Sequence, residues 1–369
     1  MADVGAEEMV ITVKDDNNNI LGQGKTVINT VNAVKQPATK IRILCFGDSL
    51  TSGGIWCREA DRLLTEQGGT PKGKGFGNIE FCGSKKKGKT GYFGVGGWSW
   101  DSYITSGRPA FRLQVSGITS LSIGAIYEQG GKQYEIMEIN VTGGTGNVLV
   151  GVKSASDAPT ASGKLTKKAG SGDSEINYSS FSVDSQNPLW DYVAGKMTFV
   201  NYANTVSDGI IDIVYTLLSW NGQTPWKKDF TDVITKVKTF ADTLHREFPL
   251  AKLKIMGVQI PSVRGGMGYV YGATGTSYAD GYGMVVTALN QNRAYQEFAN
   301  EPGYKDFVEF VNVSAQFDTE YNMPHEERAV NTRSEITEWV DNNGVHPSTN
   351  GYYQIADVVF RNVIKDNCQ

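Results

Sequence analysis

The stretch Ile41-Arg-Ile-Leu-Cys-Phe-Gly47-Asp48-Ser49-Leu50-Thr51 decides how this chain folds. Its first six residues are a short, branched, mostly apolar run of the kind that is buried on both faces in a parallel sheet. Gly47 and Asp48 break the run with turn chemistry, and Trp56, Ala60, Leu63 and Leu64 then recur at helical spacing. A strand that enters a helix through so sharp a turn sets the Ser49 hydroxyl at the C-terminal edge of a sheet. Backbone N–H groups and the helix dipole there can stabilise an oxyanion. The pattern is not the G-x-S-x-G elbow of α/β-hydrolases. Taken alone, it also describes an ordinary turn with a helix cap.

Working outward, strands and helices alternate from Lys40 onward, which predicts an α/β fold with a central parallel sheet. Further strands are expected over 78–82, 210–218, 252–260 and 308–314. A helix is expected over 231–248, where positions 233, 234, 237, 240, 241 and 244 form an apolar stripe. The last helix should begin near Ser348 or Thr349, either a good N-cap. Two segments break this rhythm. Residues 1–39 hold two extended stretches around the turn Asp15-Asp-Asn-Asn-Asn19 and read as a short β extension. Residues 112–183 lack a helical stripe, but Val148, Val150 and Val152 alternate, and Gly/Ser turns recur. They read as an inserted all-β module, leaving 40–111 and 184–369 to the α/β domain.

Composition narrows the partners. A net charge of −4 gives no basic face for nucleic acid. No apolar run is long enough to span a bilayer, so no membrane insertion is expected. The N-terminus shows no export signal, which makes a cytoplasmic protein the default, with secretion or virion association as alternatives. Cys45, Cys57, Cys82 and Cys368 are scattered without metal-like spacing and read as free thiols; no metal or cofactor is expected. Only three histidines exist, so the search for a catalytic base is short. His245 reads as a helix C-terminal cation and His325 as a loop residue. The third is His346.

Gly47-Asp48-Ser49-Leu50 resembles the first block of the SGNH (GDSL) hydrolase superfamily, and the later blocks follow in order. Gly96-Gly97-Trp98-Ser99-Trp100 resembles the second block, with Gly97 as the oxyanion glycine. Ser219-Trp220-Asn221-Gly222 resembles the third, with Asn221 matching while Ser219 and Gly222 depart from its usual glycine and aspartate. His346-Pro347 resembles the last. The resemblance covers 40–111 and 184–369. It implies a flavodoxin-like three-layer α/β/α fold and ester hydrolysis through an acyl-enzyme on Ser49. His346 would be the general base, and Ser49 N–H, Gly97 N–H and the Asn221 amide would form the oxyanion hole.

The family's usual aspartate three residues before the histidine is Asn343 here. A neutral amide cannot stabilise imidazolium as a carboxylate does, and in a Ser-His-Asp enzyme that change costs on the order of 10⁴ in kcat. Three readings stay open. Asp341 reaches the imidazole through a bulged turn, a backbone carbonyl orients the ring in a Ser-His dyad, or the enzyme is weak or dead.

The β insertion and the aromatic residues favour O-acetyl groups on carbohydrate as the target. Trp98, Trp220, Tyr269 and Tyr271 are the candidate substrate contacts, the last two in a Gly-rich loop over 264–283 with Tyr278 and Tyr282. The runner-up is a short-chain lipase or thioesterase, for which no acyl groove is visible. A catalytically weak glycan-binding protein retaining the SGNH fold is the third reading. Lys85-Lys-Lys-Gly-Lys89 reads as a solvated charge run rather than an anion attractor. A small-molecule or glycan ester is the expected partner, and the oligomeric state is not set by the sequence.

Overall fold

A computed structural model of the chain describes residues 5–30, 35–106, 109–152, 155–191, 194–218, 220–258, 281–341 and 343–368. Its N-terminal hairpin pairs β1 (Gly5–Lys14) with β2 (Ile20–Thr30). Asp15 makes the turn, its Oδ1 accepting from the N–H groups of Asn17 at 2.9 Å and Asn19 at 2.8 Å.

The decisive stretch forms β3 (Ile41–Gly47), almost wholly buried, followed by α1 (Ser49–Ser52) and α2 (Ile55–Thr65). β3 is flanked on one edge by two strands in succession. Ile41 to Leu44 pair with β4 (Ile79–Cys82), and Phe46 and Gly47 pair with β6 (Thr90–Gly94), both parallel. Between these two lies β5 (Lys85–Lys87), antiparallel to β6 at the sheet edge. Lys85–Lys87 of the lysine run thus form an edge strand with Lys86 and Lys87 exposed, a common way to blunt an open edge. Helix α3 (Trp100–Ile104) follows.

The chain then leaves the sheet and closes a six-stranded antiparallel barrel. Its strands are β7 (Pro109–Ser116), β8 (Ile126–Gln129), β9 (Lys132–Thr142), β10 (Thr145–Gly151), β11 (Gly163–Ala169) and β12 (Glu175–Ser185). Alternate residues such as Leu113, Tyr134, Ile136, Val148, Val150 and Leu165 fill its interior as a second core, separate from the sheet's. Closure removes the exposed edges that an open sheet of this size would leave.

A two-residue pair, β13 (Trp190–Asp191) with β14 (Lys196–Met197), and α4 (Val200–Val206) lead back to the sheet. The remaining sheet elements are β15 (Ile213–Leu217), α5 (Thr231–Glu247), β16 (Lys252–Met256), α6 (Gly281–Ala299) and β17 (Val308–Val311). The parallel strands run β17-β16-β15-β3, with β4 and β6 beyond. Helix α6 begins inside the segment expected to be a loop. A second unforeseen element is the hairpin β18 (His325–Ala329) with β19 (Thr337–Asp341). His325 thus starts a strand instead of lying in a loop. Charged residues dominate β18, which hides its alternation. α7 (Thr349–Asn367) is capped by the Ser348 side chain, which accepts from Gly351 N–H at 3.3 Å, and packs on α2. α3 and α6 pack on α5.

Candidate active site

Three loops leave the sheet side by side, because the C-terminal ends of β6, β3 and β15 are in register. Gly47 pairs with Gly94 on one side and with Leu217 on the other. Backbone bonds extend this alignment into the loops, from Asp48 N–H to Leu217 O at 3.3 Å and from Val95 N–H to Gly47 O at 3.1 Å. Crevices at the C-terminal ends of strands are the usual ligand sites of open α/β sheets. Gly47 is required there by close approach. A Cβ on it would stand 2.0 Å from Thr51 Oγ1 and 2.7 Å from Leu217 O. Tyr103 adds a lock, its hydroxyl donating to Gly47 O at 2.7 Å.

Ser49 follows this strand end directly. Asp48, almost fully buried, caps the turn: its Oδ1 accepts from Leu50 N–H at 2.9 Å, and its carbonyl accepts from Thr51 and Ser52 N–H at 3.1 and 3.0 Å. Its carboxylate thus hydrogen-bonds the turn backbone. These bonds leave Ser49 N–H outside the turn's own hydrogen bonding. In the neighbouring loop Gly97 takes a left-handed φ of +81°, and the bond closing that turn runs from Trp98 N–H to Val95 O. The loop lies against the serine, since a Cβ on Gly96 would stand 3.8 Å from Ser49 Cβ.

His346 comes from the loop before α7. Its Nε2 lies 2.8 Å from Ser49 Oγ. The ring is half-buried, and burial pushes its pKa below the ordinary value of 6.5, so it rests as the neutral base. Asn343 shapes the loop, its Oδ1 accepting from Val345 N–H at 3.0 Å and His346 N–H at 2.8 Å. Asp341, expected to reach the imidazole, is buried at the end of β19, in register with His325 on β18. Among the described residues the imidazole's side-chain hydrogen bond is to Ser49, and no carboxylate is hydrogen-bonded to it. Asn343 closes the turn that carries the ring.

Asn221 bridges the two other loops. Its Nδ2 donates to Trp98 O at 2.8 Å and to Asp48 Oδ2 at 3.3 Å, so both amide hydrogens have protein acceptors. The Trp98 and Trp220 indoles, expected to meet substrate, are core residues only 8% and 2% exposed, with no ring face for a sugar. Tyr269, Tyr271 and Tyr278 lie outside the described residues. Tyr282 is described and exposed, with its ring centroid 5.7 Å from that of Trp226, which is 51% exposed. Trp226 was not singled out from the sequence, although it stands only five residues past Asn221. It also adopts a left-handed φ of +63°, which costs a bulky residue on the order of 1–3 kcal/mol.

The other two histidines are placed elsewhere. His245 stacks on Phe307 in the last turn of α5, and His325 packs edge-on against Trp339. The four cysteines are buried free thiols. Among the described residues no group of histidine, cysteine and carboxylate side chains is placed to hold a metal ion. No helix there is long and apolar enough to cross a membrane. A hollow of about 720 Å³, bordered by Ile41, Ile213, Lys252 and Val308, sits at the N-terminal ends of the strands, away from Ser49.

No family model and no curated protein matches the chain. Solved structures do resemble it. A family 3 carbohydrate esterase of Clostridium thermocellum is 15% identical, with 89% of this chain and 98% of that one covered and a TM-score of 0.37. A family 3 carbohydrate esterase from Talaromyces cellulolyticus is 13% identical over 88% and 97%, with a TM-score of 0.38. A peptidoglycan O-acetylesterase is 12% identical over 89% and 91%, with a TM-score of 0.34. At such identities and TM-scores the resemblance assigns no activity to this chain.

Proposed function

We propose that this chain is an SGNH-type serine esterase, built on a three-layer α/β/α domain, that removes O-acetyl groups from carbohydrate. The observation that carries the reading is the 2.8 Å contact between His346 Nε2 and Ser49 Oγ, made where the ends of three adjacent strands converge. A serine hydroxyl is a poor nucleophile at neutral pH until a neighbouring imidazole takes its proton.

On this reading the reaction runs in two halves. Ser49 Oγ attacks the acyl carbonyl carbon while its proton passes to His346 Nε2. The tetrahedral oxyanion is held by Ser49 N–H and Gly97 N–H. Asn221 completes the hole by turning the hydrogen of its longer contact, the 3.3 Å one to Asp48, onto the oxyanion. Collapse expels the sugar hydroxyl, which takes the proton back from His346 and leaves an acetyl ester on Ser49. Water then attacks that ester as His346 accepts its proton; collapse expels Ser49 Oγ, which takes that proton back from His346, and the acetic acid released ionises to acetate. The pair works as a dyad, with Asn343 holding the histidine loop through backbone N–H groups. The exposed Trp226–Tyr282 pair beyond Asn221 supports a sugar substrate, because aromatic faces stack on sugar rings and strained residues cluster at functional sites.

Acetate release from a panel of acetylated glycans tests this reading. Ser49→Ala should lower the rate by at least about 10⁴-fold at an unchanged melting temperature. Activity that survives the substitution sinks the mechanism. Nitrophenyl esters of increasing chain length separate an acetylesterase from a lipase or thioesterase.

A further inference from the structure

Where the barrel meets the sheet, the two enclose a cavity of about 660 Å³. Clefts of this size between structural units are where small-molecule and glycan sites most often form. One end is made by Val95 and Gly96, the loop that lies against Ser49; the far wall belongs to β9, β10 and β12. The cavity therefore runs from the loop next to Ser49 to the barrel.

Its walls are of two kinds. On the apolar side, Ile123 and Val183 line it while remaining 56% and 51% exposed, with half-buried Met137 and Trp190 beside them. Exposed apolar side chains gathered in a concave surface mark a binding face. The polar side is rigidly built. Arg112 is fixed by Asp184 at 2.7 Å, Asn147 at 2.9 Å and Glu138 at 3.1 Å. Lys85 donates to Gly94 O at 2.5 Å and lies over the Phe93 ring, with burial pulling its pKa down to about 8. Four carboxylates, those of Glu135, Glu138, Asp184 and Asp191, outnumber these two cations in the lining.

We propose that this cavity binds the sugar chain bearing the scissile ester, as a subsite for a neutral, hydroxyl-rich glycan. The inference rests on the esterase reading of Ser49. Carboxylates and amides accept hydrogen bonds from sugar hydroxyls, and the apolar wall covers the C–H face of a ring. The excess of carboxylates repels a uronate-rich chain, while the fixed charges make an unfavourable lining for a long acyl tail. The barrel thereby supplies glycan specificity to a nucleophile that the sheet alone positions.

Binding can be read without catalysis. In a Ser49→Ala background, cellohexaose, xylohexaose, chitohexaose and oligogalacturonate are titrated by calorimetry. At least one neutral hexasaccharide should bind, and oligogalacturonate should not. Met137→Trp and Val183→Trp, each enlarging a side chain that lines the cavity, should weaken that binding at least tenfold with unchanged melting temperatures. Absence of binding by all neutral probes, retention of affinity in both variants, or preference for oligogalacturonate overturns the subsite. Hydrolysis of nitrophenyl acetate by the wild-type protein tests Ser49 separately. A failed esterase and a failed subsite therefore give different results.

Discussion

Ser49 and His346 meet at 2.8 Å, yet the two sides of that contact are held by different means. The serine side is an extension of the sheet. Register across β6, β3 and β15 fixes the strand ends, Gly47 allows Thr51 and Leu217 to close on it, and Asp48 caps the turn from within. The histidine side has no strand leading into the residue. It hangs between the β18–β19 hairpin and α7, and its shape comes from the Asn343 side chain and the Ser348 cap. A serine built on paired strands is over-determined; a histidine built on one side-chain-closed turn depends on a few hydrogen bonds. Substitutions on the two sides should therefore fail differently.

The largest effect in this comparison lies on the serine side. Asn221 ties the Asp48 and Trp98 loops together, and in the proposed mechanism it supplies a hydrogen to the developing charge, so Asn221→Ala should cost about 10²- to 10³-fold in kcat. The loss should fall on kcat more than on KM, because the oxyanion exists only in the transition state. An unchanged kcat would show that Asn221 is only a structural tie.

On the histidine side the informative change is a gain. Asn343→Asp keeps an oxygen for the N–H groups of Val345 and His346 and adds a negative charge beside the loop. It should raise kcat by about tenfold or more, by supplying the carboxylate that a Ser-His pair lacks. The pH profile gives an independent reading. In the wild-type protein burial depresses His346 below 6.5, so kcat/KM should stay level as pH falls past 6.5 and decline only below it. In Asn343→Asp the added charge favours imidazolium, and this acid limb should move upward. A limb at the same pH in both proteins would mean that residue 343 does not sense the imidazole.

The same contrast explains what could be read in advance. The β3 run, the α5 stripe and the Ser348 cap are local patterns, and each appears close to where periodicity placed it. The alternation of 112–183 marked β structure, but closure into a barrel depends on pairings between strands far apart in sequence, such as β7 with β12. The hairpin under His346 was missed because β18, His-Glu-Glu-Arg-Ala, is nearly all polar and shows no apolar alternation. At 85–87 charge suggested solvent, which holds for the exposed Lys86 and Lys87, while the Lys85 amine is buried and donates to Gly94 O. Trp98 and Trp220 were misjudged because aromatic residues next to a motif resemble a substrate platform, whereas both fill the core. Trp226 had a visible signal in its short distance from Asn221. Its exposure and left-handed backbone had none.

The smallest expected effect is the most discriminating. Asp341 is buried at the end of β19, close in sequence to His346, and in a Ser-His-Asp enzyme the equivalent amide exchange costs on the order of 10⁴ in kcat. In the structure Asp341 is in register with His325 in the hairpin, and the imidazole's side-chain hydrogen bond goes to Ser49. Asp341→Asn, which preserves shape while removing charge, should therefore change kcat by less than about threefold, far below that triad cost. Any larger cost should appear in the melting temperature, because a buried carboxylate is exchanged for an amide whose extra hydrogens need acceptors. A 10⁴-fold fall in kcat at unchanged stability would make Asp341 the acid of a true triad. The histidine side would then be held as firmly as the serine side, and the contrast drawn from Asn343 would disappear.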